Sequence, residues 1–264
     1  MDLQSIRATA ENIAVHAGET VMPFFNQPHQ ETIKTNIYDV VTEGDKAAEA
    51  VIIPALQEAF PQHGIVSEEG GGGLVAASEA EYSWYIDPID GTTNFANNIP
   101  FFAISIALAD RALNPLVGVV YNPVSRELYS AAKGFGATLN GNPIRVTQND
   151  ALNRAVLSTG FSYERHTQED NNLRAWEAML MAARDLRRFG AAALDLCFVA
   201  AGRLDGFWER YIHSWDCLAG ILCVLEAGGK ATDYSGGTSK LLTGDEIVAT
   251  NGLLHEDVLR VLHS

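Results

Sequence analysis

The residues with most chemistry to offer are acids that follow strand-like stretches. Asp87 and Asp90 lie three apart in Trp84-Tyr85-Ile86-Asp87-Pro88-Ile89-Asp90-Gly91-Thr92-Thr93-Asn94-Phe95. Pro88 has no N–H and a fixed φ, so the chain is expected to leave its strand sharply at Asp87, letting both acids converge on one point. Gly91 permits a tight turn, and Thr92 and Thr93 open a short helix whose free N–H groups suit a phosphate. Ser67-Glu68-Glu69 follows the strand-like Ile65-Val66, and His213-Ser214-Trp215-Asp216 opens an apolar helix. Ser214 can cap that helix, with Asp216 in its first turn, where the dipole favours negative charge. Each group has a plainer reading: Asp, Pro, Gly and Thr are ordinary turn residues, and a capping acid needs no further role. Together they form a hard-oxygen set suited to magnesium, and no clustered His or Cys set points to zinc.

Periodicity places these acids on elements. Leu3 to Val21 has helical spacing and stops near Pro23; Ile33 to Thr42 reads as extended. Asp45 to Phe60 reads as a helix with a kink at Pro54. Gly70 to Gly73 reads as a loop. Trp84–Ile86, Ile104–Leu108, Leu116–Tyr121 and Glu127–Ala131 form a mostly antiparallel meander, with a hairpin turn at Asn140-Gly141. Strands and helices then alternate. Ala155–Thr159, Leu204–Trp208 and Glu246–Thr250 read as strands. Leu173–Arg184, Ala191–Ala201, Trp215–Ala227 and His255–Leu262 read as helices. Trp84, Trp208 and Trp215 are expected in the core, and His213 in packing or capping. Arg187-Arg188 reads equally as an anion-placing pair, a dimer contact or solvated surface.

Bulk composition narrows the partners. A chain of 264 residues with 47% hydrophobic and 19% charged residues is an ordinary globular protein. Its 33 acids against 18 Lys and Arg leave a net charge of -15, which argues against nucleic acid or an anionic membrane as main partner. No run approaches a membrane span. Three cysteines, Cys197, Cys217 and Cys223, show no disulfide or zinc spacing. With charges at Asp2, Arg7 and Glu11 breaking any signal-peptide pattern, a reducing, cytoplasmic setting is expected.

The string Asp87-Pro88-Ile89-Asp90-Gly91-Thr92-Thr93-Asn94-Phe95 resembles the first signature of the inositol monophosphatase family. Trp215-Asp216, with Ala219-Gly220 and Glu226-Ala227-Gly228-Gly229, is similar to the second. The likeness runs from about Lys34 to Asn251. It implies an α+β half (1–145) and an α/β half (146–264) in one catalytic unit, layered as the αβαβα sandwich of the inositol monophosphatase and fructose-1,6-bisphosphatase type. It implies hydrolysis of a phosphate monoester such as inositol 1-phosphate, two or three Mg²⁺ ions, lithium sensitivity and a homodimer. Glu68, Asp87, Ile89 (through its carbonyl), Asp90 and Asp216 would be the metal set, with Glu68, Thr92 and Asp90 catalytic. Gly91, Thr92, Ala191, Glu209 and Asp216 would meet substrate, and Lys34, Asp39, Thr42 and Asp45 would belong to a segment closing over the site. Ser67, Gly70, Ala191 and Leu218 depart from the usual residues, which touches substrate preference but removes no ligand. Fructose 1,6-bisphosphate, histidinol phosphate and 3'-phosphoadenosine 5'-phosphate remain alternative substrates. A non-catalytic cation-binding or regulatory protein is the alternative of a different class. The chemistry is demanding: uncatalysed phosphate monoester hydrolysis calls for accelerations of order 10²¹. Clustered acids would repel a dianion unless cations reverse the sign.

Overall fold

The computed structural model describes residues 1–27, 32–34, 40–70, 73 and 76–264. Asp39 and two of the four run glycines, Gly71 and Gly72, lie outside them, as does much of the stretch expected to be extended after Ile33. In chain order the elements are α1 (Leu3–Val21), β1 (Thr32–Ile33), β2 (Val40–Val41), α2 (Glu43–Ala59), β3 (Gly64–Ser67), β4 (Tyr82–Asp90) and α3 (Thr92–Ala96). Then come β5 (Ala103–Asp110), β6 (Pro115–Asn122), β7 (Glu127–Ala132), β8 (Ala137–Leu139) and β9 (Asn142–Pro143). The second half holds β10 (Val156–Thr159), α4 (Leu173–Ala182), β11 (Asp185–Arg187), α5 (Ala192–Ala200) and β12 (Gly206–Arg210). It closes with α6 (Ser214–Glu226), β13 (Lys230–Thr232), β14 (Glu246–Thr250) and α7 (His255–Leu262).

Two large sheets and three helix layers result, with β1 and β2 pairing as a small separate ribbon. The first sheet runs β3-β4-β5-β6-β7-β8-β9, antiparallel except for the parallel β3–β4 pair. The second runs β11-β10-β12-β14-β13, with β10 parallel to both neighbours. Alternation along the strands decides which layer each residue meets. In β5, Ile104, Ile106 and Leu108 face α1 and α2, whereas the small Ala103, Ala107 and Ala109 face α5 and α6. In β12, Phe207 joins that middle layer and Trp208 points outward to α4 and α7. The αβαβα sandwich expected from the resemblance is therefore present, with α5 and α6 shared by both sheets. No helix among the described residues is long and apolar enough to cross a membrane.

Several expectations are corrected. β4 does not end at Asp87: it pairs with β5 as far as Asp90, with an irregularity in register between the two acids. A bulge is where a strand tolerates proline, which explains how Pro88 stays inside it. The helix after Leu173 stops at Ala182, and Asp185–Arg187 becomes an edge strand beside β10. Lys230–Thr232, unassigned from sequence, pairs with β14. α6 is capped at His213, one residue before Ser214. Trp84 and Trp208 are core residues, but Trp215 is only half-buried and faces a cleft.

Candidate active site

The acids reach one cleft because three elements end at its rim. The β4 bulge presents Asp87 and Asp90, which are 2% and 7% exposed. The Ile89 N–H donates to Asp87 Oδ1 at 2.9 Å, turning that carboxylate back along its own strand end. Gly91 then takes φ +93°, which favours glycine, and a side chain there would press on Ala191 and the Gly190 carbonyl. Thr92 follows, its hydroxyl 3.0 Å from the Ile89 carbonyl and 3.2 Å from Asp45 Oδ1. Asp45 accepts the Thr42 N–H and hydroxyl at the start of α2, so the first turn of α2 braces Thr92. Glu68 follows β3, its N–H donating to the Ile86 carbonyl of β4 at 3.1 Å. Asp216, in the first turn of α6, accepts the His213 N–H at 2.7 Å. Asp90 accepts the Ala192 and Ala193 N–H groups at 3.1 and 2.7 Å, which locks α5 onto β4.

The nine residues given metal, catalytic or substrate roles by the resemblance border the same cleft, whose volume is about 620 Å³: Glu68, Asp87, Ile89, Asp90, Gly91, Thr92, Ala191, Glu209 and Asp216. Lys34 lines it too, its ammonium donating to Glu68 Oε1 at 2.9 Å and pairing with Glu69. The cleft extends over Phe161, Tyr163, Arg188, Asp195 and Trp215. Sequence reasoning left Asp195 unremarked, although a single acid in the otherwise apolar Ala192–Ala200 helix was a legible signal. Gly160, at the end of β10, was also missed; it marks a close approach by Glu209.

Crowding dominates the electrostatics. Burial, then the charges of Glu68, Asp90 and Asp216, raise Asp87 well above the usual carboxylate range. Burial and Asp216 raise Asp90, against the pull of the two α5 N–H groups. Asp216 is pushed up to about 7 by loss of water in the cleft and by Glu68. Glu209 is pushed to about 8 by burial and by Asp195. Burial lifts Asp45 to about 6 and Glu69 to about 7. Burial alone would lower Lys34, but Glu68 and Glu69 outweigh it and hold its pKa above the ordinary value.

Among the described residues, no three His, Cys, Asp or Glu side chains already stand as a metal-holding group. Lys34 occupies Glu68, and backbone N–H groups occupy Asp90. What fits a divalent cation is donor chemistry and charge. Four carboxylates share one cleft, three of them raised by burial and then by one another's charge, and every oxygen is a hard ligand suited to magnesium.

The five-layer sandwich is shared with solved inositol monophosphatases. The inositol monophosphatase family matches residues 2–264, and the chain belongs to that family. It is 41% identical over 261 residues to a Synechocystis sp. protein named inositol-1-monophosphatase, covering 99% of this chain and 90% of that one. It is 42% identical over 221 residues to a Vibrio cholerae protein named Nus factor SuhB, covering 84% of this chain and 81% of that one. The solved inositol monophosphatase of Anabaena (Nostoc) sp. superposes with a TM-score of 0.89 at 40% identity, covering 100% of this chain and 97% of that one.

Proposed function

We propose that this protein hydrolyses phosphate monoesters in a Mg²⁺-dependent reaction, with inositol 1-phosphate its first substrate. The observation that carries the reading is the meeting of Glu68, Asp87, Asp90 and Asp216 in one cleft, from stretches far apart in sequence. Those four carboxylates and the Ile89 carbonyl would hold two or three Mg²⁺ ions. When bound, such ions lower the pKa of water and stabilise a leaving alkoxide. The chain's own residues do the positioning. Gly91 and Thr92 N–H groups take phosphate oxygens, and Asp216 borders the ester. The carboxylate of Glu68 accepts a proton from the attacking water, and the Thr92 hydroxyl, braced by Asp45, fixes that water's line of approach. Attack is in line, opposite the departing oxygen, with no covalent intermediate. Ala191 and Glu209 face the alcohol part, Glu209 accepting hydrogen bonds from its hydroxyls. The name of the Synechocystis relative supports the substrate. Family resemblance supports a homodimer in which each chain is one catalytic unit of two halves, 1–145 and 146–264, and three free cysteines support a cytoplasmic setting.

The name Nus factor belongs to the Vibrio relative, and the net charge of -15 supports no direct nucleic-acid contact for this chain. Phosphate release from inositol 1-phosphate, fructose 1,6-bisphosphate, histidinol phosphate and 3'-phosphoadenosine 5'-phosphate, compared as kcat/KM with Mg²⁺, tests the proposal. Inositol 1-phosphate is expected to rank first. Release from none of them would favour a non-catalytic cation-binding protein.

A further inference from the structure

The segment between β10 and α4 is a wall of the cleft that the hydrolysis above leaves without a role. It contributes Phe161, Ser162, Tyr163, Glu164 and Gln168 to the lining. Its two ends meet at Asn172, a buried residue with φ +70°. The Asn172 amide donates to the Gly160 carbonyl at 2.7 Å and to the Thr159 hydroxyl at 2.8 Å, and its oxygen accepts the Trp208 indole N–H at 2.8 Å. Within the segment, the Ser162 hydroxyl accepts the Glu164 N–H and the Ser162 carbonyl accepts the Arg165 N–H. The Asn171 amide donates to the Arg165 carbonyl. A compact loop with joined ends and hydrogen bonds of its own can swing as one body about its base.

The outer end of the segment is held by charge. Asp170 is 59% exposed and pairs with the Arg210 guanidinium, whose side chain is only 15% exposed. Arg210 follows Glu209 on β12, but strand alternation turns it to the outward face that it shares with Trp208. There Glu246 accepts its Nη2 at 2.5 Å, and Lys240 shares that carboxylate. The Tyr234 and Tyr211 rings lie 4.7 and 5.4 Å from the guanidinium carbon, and Tyr211 itself lines the cleft. An arginine fork can serve two carboxylates at once. Exposed ion pairs are worth little when two long side chains must both be ordered. Here Glu246 and two rings already fix the cation, so only the short Asp170 side chain remains to be ordered.

We propose that Arg210 is a positioning residue that latches segment 161–171 against the cleft through Asp170. When the latch opens, the segment swings away about Asn172, and substrate is bound by the latched form. Apparent affinity then falls in proportion to the fraction of molecules that stay latched. The proposal rests on the phosphatase reading for its substrates but not for the latch itself.

The test compares the full chain, Asp170→Asn, Arg210→Met and the double variant, with Mg²⁺, on inositol 1-phosphate and the hydroxyl-free p-nitrophenyl phosphate. In each variant KM is expected to rise about fivefold on both substrates, with kcat within about twofold of the unaltered chain. Adding Asp170→Asn to Arg210→Met should change nothing further, because the two residues act through one contact. Trypsin cleavage after Arg165, read by mass spectrometry, should be at least about fivefold faster in every variant, since it follows the population of the open form. A KM rise on inositol 1-phosphate alone would mark a contact with the alcohol, and a kcat loss as large as the KM rise would mark a general structural role. Either result overturns the proposal, as do additive effects, an unchanged KM or unchanged cleavage. Should Arg210→Met fail to fold by circular dichroism, Asp170→Asn, at an exposed position, carries both readouts. If the unaltered chain hydrolyses nothing, the phosphatase reading fails and trypsin alone decides the latch. Faster cleavage in the variants then supports it, and equal cleavage contradicts it.

Discussion

Asp216 stands under two opposing influences. The His213 N–H and the start of α6 favour its negative charge, while the cleft and Glu68 disfavour it. Asp216→Asn keeps an oxygen for the N–H and removes the repelled charge. Turnover should therefore fall at least about a hundredfold, the upper end of what indirect partners of a metal cost. The melting temperature of the cation-free protein should hold or rise, as differential scanning calorimetry would show. Near-normal turnover would remove Asp216 from the metal set. Asp90 makes a poorer probe, because its two oxygens also tie β4 to α5, so substitution there mixes chemistry with folding.

At the scale of elements, the site depends on α6 lying close against the first sheet. Gly118 of β6 is where they meet: a Cβ there would come within 2.6 Å of the Ala219 carbonyl oxygen and 2.8 Å of its Cα. Backbone cannot swing aside as a side-chain tip can. Gly118→Ala should cost about 1–3 kcal/mol in urea denaturation and reduce turnover by shifting the helix that carries Asp216. An unchanged midpoint would show that the two layers have slack. Elements with strong local signals were legible in the sequence: α1 and α7 have the expected bounds because one apolar face suffices to define them, and β14 because it is a short run buried on both faces. The tail of β4, β11 and β13 were not, since each exists by pairing with a strand distant in sequence. The same division runs through the site. Asp87 and Asp90 announce themselves by spacing, whereas Asp195 hides in a run that reads as core, and Trp215 was misplaced there.

For the molecule as a whole, the crowded acids couple stability to pH and, under the proposed function, to Mg²⁺. A carboxyl raised in the folded state binds its proton there more tightly than in the unfolded chain. Its stabilisation is complete below the unfolded value and fades as pH rises through the folded one. Asp216 at about 7 and Glu209 at about 8 place the fading near and above neutrality, with Asp87 and Asp90 acting in the same direction. His255 works oppositely and elsewhere. Buried between Thr232 and Thr250, it is lowered to about 4, so it removes stability as pH falls below its ordinary value near 6.5. Between about pH 6.5 and 8.5 the acid cleft is therefore visible without that interference. Mg²⁺ requires the ionised carboxylates, so it should restore most where repulsion is greatest. The decisive measurement is the melting temperature across that window, after chelation and again with saturating Mg²⁺. The cation-free value should decline as pH rises, with a Mg²⁺-induced increase that grows toward pH 8.5. A Mg²⁺ effect that is absent, or the same at both ends of the window, would contradict a cleft in which these acids gather around divalent cations.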